Sequence, residues 1–254
     1  MPEQSTPLAD DPFQGRTPTS HEQMTGLPWD ASYADGPAPW DIGQPQPAIV
    51  RLASEGGFAG AVLDAGCGTG ENALHIASLG LSVLGVDVAE TALAIAREKA
   101  DVRGIEIEFA WADAFHLERL RREFETVLDC GLLHTFNSDE RPGYVASLAS
   151  VTKLGGSLYV LCFRDEGPDT GPHPVREIEL RARLTSAMDG MLSPSNRSGF
   201  RRDTTTTVHQ HGSRESNESK LRKLSDGFRA YHGKPLFGIG RAFSEPNIEG
   251  SSRR

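Results

Sequence analysis

Nothing in the 254-residue sequence restricts the fold more than Val62-Leu-Asp-Ala-Gly-Cys-Gly-Thr-Gly-Glu71, an apolar run that breaks into three alternate glycines and leads into a helical pattern. A buried strand, a glycine turn and a helix in that order form the first half of a strand–helix–strand unit. Right-handed crossovers then impose a parallel, doubly wound sheet whose ligand crevice lies at the carboxyl ends of the strands. Alternate glycines turn the backbone tightly and admit a ligand with no Cβ in the way, and the helix start adds free N–H groups. The spacing is GxGxG rather than the GxGxxG of dinucleotide binders. Asp64 stands two residues before the first glycine, where a carboxylate suits an ammonium better than a pyrophosphate.

The segments that follow repeat the alternation of short apolar runs with helical periodicity. Strands are predicted at Ala61–Asp64, Ser82–Asp87, Ile105–Trp111, Thr126–Asp129 and Ser157–Phe163. Helices are predicted at Glu71–Leu79, stopped by Gly80, at Ala89–Arg103, and at Asp139–Lys153, ended by Gly155 and Gly156, which open the fifth strand. The expected fold is therefore α/β, a Rossmann-like, mostly parallel sheet.

Four consecutive strand ends carry an aspartate. Asp64 has been described. Asp87 ends the second strand, where an acidic side chain can accept hydrogen bonds from both hydroxyls of a ribose. Asp113 follows the third strand in Trp111-Ala-Asp-Ala-Phe115, where a carboxylate beside an apolar side chain can read an exocyclic amine and sandwich an adenine ring. Asp129 ends the fourth strand in Val127-Leu-Asp-Cys-Gly-Leu-Leu-His-Thr-Phe136. A single such aspartate is ordinarily a solvated turn or a helix cap, but four in register describe a ligand with an ammonium, a ribose diol and an adenine. S-adenosylmethionine fits that inventory.

With VLDAGCGTGENALHIA, LGVDVAETAL, WADAF and VLDCGLLHTF, the sequence resembles the class I S-adenosylmethionine-dependent methyltransferases. The segment Pro39-Trp-Asp-Ile-Gly-Gln-Pro-Gln-Pro47 narrows the resemblance to a small-molecule branch of thiopurine, tellurite-resistance and methyl-halide type. The resemblance implies a methionine moiety at Asp64, Gly66 and Gly68, ribose at Asp87, and adenine at Asp113 and Ala114. It implies Trp40 and Gln44 as lid contacts, and Cys67, Gly70, Val88, Phe115, Asp129 and Cys130 as further cofactor contacts. The small-molecule acceptor would be an S, O or N nucleophile. A protein that binds the cofactor but is catalytically impaired is the alternative. A nicotinamide oxidoreductase is disfavoured by the GxGxG spacing, by Asp64, and by the lack of a Tyr/Lys or Cys/His pair.

Displacement at a sulfonium mainly needs the acceptor held close with water excluded, and a general base matters only for an acceptor that arrives protonated. His134, just beyond the fourth strand, is the candidate base. Tyr33, in Leu27-Pro-Trp-Asp-Ala-Ser-Tyr33 with Trp29, is the candidate for lining the acceptor pocket. His173, in a Pro/Gly-rich loop after the fifth strand, is a weaker acceptor contact. His75 and His116 need only structural accounts. No metal site is expected: Cys67, Cys130 and Cys162 are widely spaced, and His209 and His211 have no companion ligands.

Charge divides the chain. Residues 1–180 hold 12 Lys and Arg against 28 Asp and Glu, whereas residues 181–254 hold 14 against 7. Three units follow: an arm and cofactor lid over 1–47, the methyltransferase core over 48–188, and a polar basic tail over 189–254. A helix is expected at Val175–Met188. Beyond it only Pro235–Ile239 reads as a strand, so the last two strands of such a sheet are not legible, and the fifth strand would be an open edge. The tail reads as a disordered appendage, a basic arm, or the product of a reading-frame slip near residue 190. No apolar run reaches membrane-spanning length, the net charge of -9 disfavours nucleic acid, and the expectation is a cytoplasmic monomer or weak dimer.

Overall fold

A computed structural model describes residues 11–163, Val175, Ala182 and the segment 236–239. Six strands form one sheet in the order β3-β2-β1-β4-β5-β6: β1 Val62–Ala65, β2 Val83–Asp87, β3 Glu108–Trp111, β4 Phe124–Cys130, β5 Thr152–Phe163 and β6 Leu236–Ile239. The first five are mutually parallel, and β6 runs antiparallel to β5. Among the described residues, the α-helices α1 Ser20–Thr25, α2 Pro47–Ser54, α3 Glu71–Ser78, α4 Glu90–Arg103 and α5 Arg141–Val151 accompany them.

The strands are apolar on both faces because helices cover both. Leu63, Ala65, Leu84, Val86, Val127 and Val160 pack on one side with Phe136, Tyr144 and Leu148. Val62, Val83, Leu128 and Leu161 pack on the other with Ile49, Leu74, Ile76 and Leu93. This two-sided burial is why the runs read as continuous rather than alternating. Gly104 ends α4 in the left-handed conformation, with its N–H bonded to the last turn.

Register aligns the strand ends. Ala65 pairs with Val86 on one side and Asp129 on the other, and Asp87 pairs with Trp111. The end of β1, where Asp64 precedes the glycine turn, thus lies between those of β2 and β4.

Two sequence expectations are corrected. Gly155 and Gly156 do not separate helix from strand: α5 ends at Val151 and β5 starts at Thr152. Thr152 pairs with Phe124, the next pairing is Ser157 with Thr126, and both glycines lie in the irregularity between. A Cβ on Gly156 would stand 2.9 Å from the Glu125 carbonyl oxygen, which excludes any other residue from this close approach. Nor is β5 an open edge, because Val160 to Phe163 pair with Ile239 back to Leu236. The tail therefore contributes an edge strand at the segment read from sequence as Pro235–Ile239. The rest of the tail, most of the expected helix at Val175–Met188, His173, His209 and His211 lie outside the described residues. Among the described residues, no helix is long and apolar enough to cross a membrane.

Candidate active site

The glycine turn is shaped by backbone geometry. Gly66, Gly68 and Gly70 have φ of 73°, 53° and 81°, conformations that L side chains rarely adopt. The N–H groups of Gly66 and Cys67 both donate to the Val86 carbonyl at 2.9 Å, which ties the turn to β2. Asp87 completes the tie: one carboxylate oxygen accepts from the Gly68 N–H at 2.8 Å and the other from the Ala89 N–H at 2.9 Å. A Cβ on Gly70 would meet Phe109 at 2.8 Å and Ala96 at 2.9 Å, so this glycine also lets α3 sit close to the sheet.

Asp64 differs from the other strand-end aspartates. It is 1 % exposed, and neither carboxylate oxygen has a hydrogen-bond partner. Burial, then the charges of Asp129 and Asp87, push its carboxyl up to about 7. Burial also raises Asp87 against the pull of its amide bonds. Asp129 is likewise pushed to about 7 by burial, but its oxygens accept from the Leu132 and Leu133 N–H groups at 2.8 and 2.9 Å. The Tyr144 hydroxyl faces it from α5. Asp129 thereby holds the short turn Leu133–Thr135 that carries the buried His134.

Asp113 caps the turn Ala114–Leu120, accepting from the Phe115 N–H at 3.0 Å. Phe115 packs edge-on against Phe136, with ring centroids 4.8 Å apart, and near Tyr144. The Val88 carbonyl accepts from the Trp111 indole N–H at 3.1 Å. Burial pushes both the Cys67 and Cys130 thiols up, so neither is a thiolate at neutral pH. The Asn72 side chain works against that rise at Cys130.

The N-terminal arm packs onto this crevice. The Trp40 indole N–H donates to the Tyr33 hydroxyl at 3.2 Å, and that hydroxyl stands 3.1 Å from where a Cβ on Gly68 would be. Trp29 lies edge-on to Trp40 and stacks on His21. Gln44 is exposed on the same arm. Burial pushes the Tyr33 phenol up, so it stays protonated.

Polar ties to the core fix the arm, among them the Ser20 N–H and hydroxyl, which both donate to Glu140. Asp30 accepts from the Thr91 N–H at 2.7 Å and hydroxyl at 2.9 Å, the Thr69 hydroxyl donates to Asp41 at 2.6 Å, and the Gln46 N–H donates to Asn72 at 2.8 Å. Within the arm, Thr19 and Glu22 form a reciprocal capping box, and the buried Glu22 also pairs with Arg16 at 2.7 Å and accepts from the Trp29 N–H. The roles of Asp30, Asp41, Thr69 and Asn72 were not read from sequence. The Thr-x-x-Glu spacing of the capping box was a usable signal for α1.

The structure thus gathers Asp64, Asp87 and the glycines around the end of β1, and sets Tyr33 and Trp40 over the turn. Asp129 and Asp113 instead anchor the turns that carry His134 and Phe115.

Comparison with known proteins gives four findings. Residues 62–156 match the family model described as a methyltransferase domain. The chain is 36 % identical over 185 residues to the 2-heptyl-1-hydroxyquinolin-4(1H)-one methyltransferase of Mycobacteroides abscessus, covering 71 % of this chain and 76 % of that one. It is 29 % identical to a probable thiol methyltransferase 2 of Arabidopsis thaliana, over 57 % of this chain and 65 % of the relative. Among solved structures, one described as "Conversion of a Disulfide Bond into a Thioacetal Group during Echinomycin Biosynthesis" superposes with a TM-score of 0.54 at 41 % identity, covering 61 % of this chain and 76 % of that one.

Proposed function

We propose roles for these residues from one premise: the chain belongs to the class I S-adenosylmethionine-dependent methyltransferases that act on small molecules. The observation that carries the assignment of roles is Asp64, a buried carboxylate with both oxygens unpartnered beside two further carboxylates. Such a group is stable in ionised form only opposite a cation. A ligand with an ammonium and a sulfonium answers that demand, which a nicotinamide dinucleotide with its pyrophosphate does not.

In this reading Asp64, with the uncrowded edges of Gly66 and Gly68, holds the methionine moiety. Asp87 keeps accepting capacity for the ribose hydroxyls beyond its two amide bonds, since an ionised carboxylate has about four lone-pair sites. Asp113, Ala114 and Phe115 face the adenine, with Val88 beside it. Cys67, Gly70 and Cys130 shape the walls, and Asp129 fixes the turn that closes the crevice. Trp40 and Gln44 cover it from the arm.

Bound S-adenosylmethionine supplies a methyl group on a sulfonium, whose thioether is a good leaving group. The chain's own part is to hold the acceptor in line and exclude water. Tyr33 cannot accept a proton while its phenol is held protonated, so its role is to donate a hydrogen bond and to line the pocket. His134 remains the candidate base. An acceptor that ionises unaided needs it least, as a thiol does with a free pKa of about 8.5. The relatives' names, a hydroxyquinolone and a thiol enzyme, support an acceptor oxygen or sulfur of that kind.

Calorimetric titration with S-adenosylmethionine, with NADH in parallel and Asp87→Ala as control, tests the cofactor roles. Micromolar binding of S-adenosylmethionine alone, lost in the variant, is expected. A turnover assay for S-adenosylhomocysteine over thiols, phenols and N-hydroxy heterocycles then tests the acceptor. Turnover confined to neutral amines would overturn the oxygen-or-sulfur assignment.

A further inference from the structure

The arm grips the glycine turn at two adjacent residues. On one side the Tyr33 hydroxyl, held by the Trp40 indole, abuts Gly68. On the other, Asp41, the next residue after Trp40, accepts from the hydroxyl of Thr69. Thr69 is buried, and its Oγ1 does two jobs: it donates to Asp41 Oδ2 at 2.6 Å and accepts from Lys99 Nζ at 2.8 Å. Lys99, on α4, also donates to the Thr69 carbonyl at 3.2 Å and pairs with Glu71 at 3.0 Å. Glu71, the first residue of α3, is held in turn by Arg103, with both guanidinium contacts at 2.8 Å.

The chain of contacts runs from α4 through one hydroxyl to the arm. A hydroxyl has one proton to donate. Lys99 has no acceptor capacity, so it can only give a hydrogen bond to Thr69 Oγ1, and the single hydroxyl proton is left for Asp41. The lysine and the carboxylate thus fix the orientation of the hydroxyl from opposite sides, with both bonds charge-assisted. No other residue type except serine supplies this donor–acceptor pair at that length.

We propose that Thr69 is a positioning residue that clamps the arm closed over the cofactor crevice. Through Asp41 it fixes the adjoining Trp40, and through Trp40 it fixes the Tyr33 hydroxyl against Gly68. The clamp acts first on cofactor retention, because Thr69 lies in the glycine turn itself and holds the arm against it. It rests on the reading that S-adenosylmethionine occupies the glycine turn.

The test uses the full chain with Thr69→Val, Thr69→Ser and Asp41→Asn. Two readouts are taken: the Kd for S-adenosylmethionine by calorimetry, and the rate of chymotryptic cleavage after Tyr33 or Trp40, identified by mass spectrometry. Thr69→Val is expected to weaken cofactor binding about tenfold and to speed cleavage by a similar factor, as loss of one charge-assisted bond implies. With a turnover substrate in hand, KM for the cofactor rises by a larger factor than kcat at saturation falls. Thr69→Ser restores both readouts to within about twofold, because it keeps the donor and the acceptor. Asp41→Asn, which leaves the interior of the turn intact, reproduces the loosened arm even where Thr69→Val does not fold. Unchanged cleavage and unchanged Kd in folded Thr69→Val, or failure of serine to rescue, would overturn the clamp. If the unaltered chain binds no S-adenosylmethionine, the cofactor roles fail, and the cleavage rates alone still decide whether Thr69 holds the arm.

Discussion

The glycine turn and the N-terminal arm face each other across the same crevice but are built by different means. The turn is shaped by backbone: three glycines at positive φ, two amides on one β2 carbonyl, and two amides on Asp87. The arm is shaped by side chains that reach across 26 to 120 residues of sequence, from Gln46 to Asn72 and from Ser20 to Glu140. Backbone geometry cannot relax one bond at a time, whereas a set of side-chain ties can. The turn should therefore fail as a unit, and the arm should loosen by degrees.

The largest effect should come from crowding the turn. Gly70→Val places a branched side chain at φ 81° and against Phe109 and Ala96, and should cost about 3 kcal/mol or more from overpacking and strain together. Urea denaturation measures it, and a midpoint close to that of the unaltered chain would show that the turn is softer than its geometry implies.

Next is Asp87→Ala, which frees the amides of Gly68 and Ala89 and removes a ribose acceptor. Cofactor Kd should rise on the order of a hundredfold, since two amide bonds and a ligand contact are lost together. A tenfold loss or less would mean that the turn keeps its shape without the clamp.

A smaller effect concerns Asp64. Its folded-state carboxyl, near 7, lies above the ordinary 3.8, so between about pH 4 and pH 7 the folded chain without cofactor holds more protons than the unfolded one. This group's contribution to stability is best below pH 4 and erodes as pH rises to 7. Cofactor affinity moves the other way, rising with pH as Asp64 ionises. Asp64→Asn should thus raise the melting temperature at pH 8 by a few degrees while weakening cofactor binding. Calorimetry in buffers of different ionisation enthalpy should detect proton release on binding at pH 6, and its absence would place the charge elsewhere.

The smallest global effect should come from the arm. Glu22→Gln leaves Arg16 without its carboxylate and weakens the capping box. Chymotryptic cleavage at Trp29 should quicken several-fold, while the melting temperature of the core shifts by about 2 °C or less. A large drop in melting temperature would show that arm and core unfold together.

The same division governs what could be read from sequence. Gly66, Gly68, Gly70, Asp64 and Asp87 were legible because strand, turn and helix follow one another locally, and because glycine spacing reports φ directly. Asp129 and Asp113 were placed at the right strand ends, but position alone does not say whether a carboxylate faces a ligand or the next turn's amides. Gly155 and Gly156 read in the sequence as a helix stop because a bulge within a strand and a helix terminus call for the same residue. The ties of Asp30, Asp41 and Gln46 leave no local trace, since each partner is an ordinary polar residue until the fold brings the two together.

The antiparallel strand β6 has a consequence in time. Phe163 of β5 pairs with Leu236, so the partner of this strand is encoded 73 residues after the strand it covers. At about 5 to 20 residues per second of synthesis, that stretch takes roughly 4 to 15 seconds to emerge. Through that interval every element of the cofactor crevice has been made, yet one sheet edge still presents bare backbone donors and acceptors to its surroundings. A nascent chain of this kind is most exposed to mispairing just when its site is already assembled, and a translational pause before residue 236 would lengthen the exposure in direct proportion.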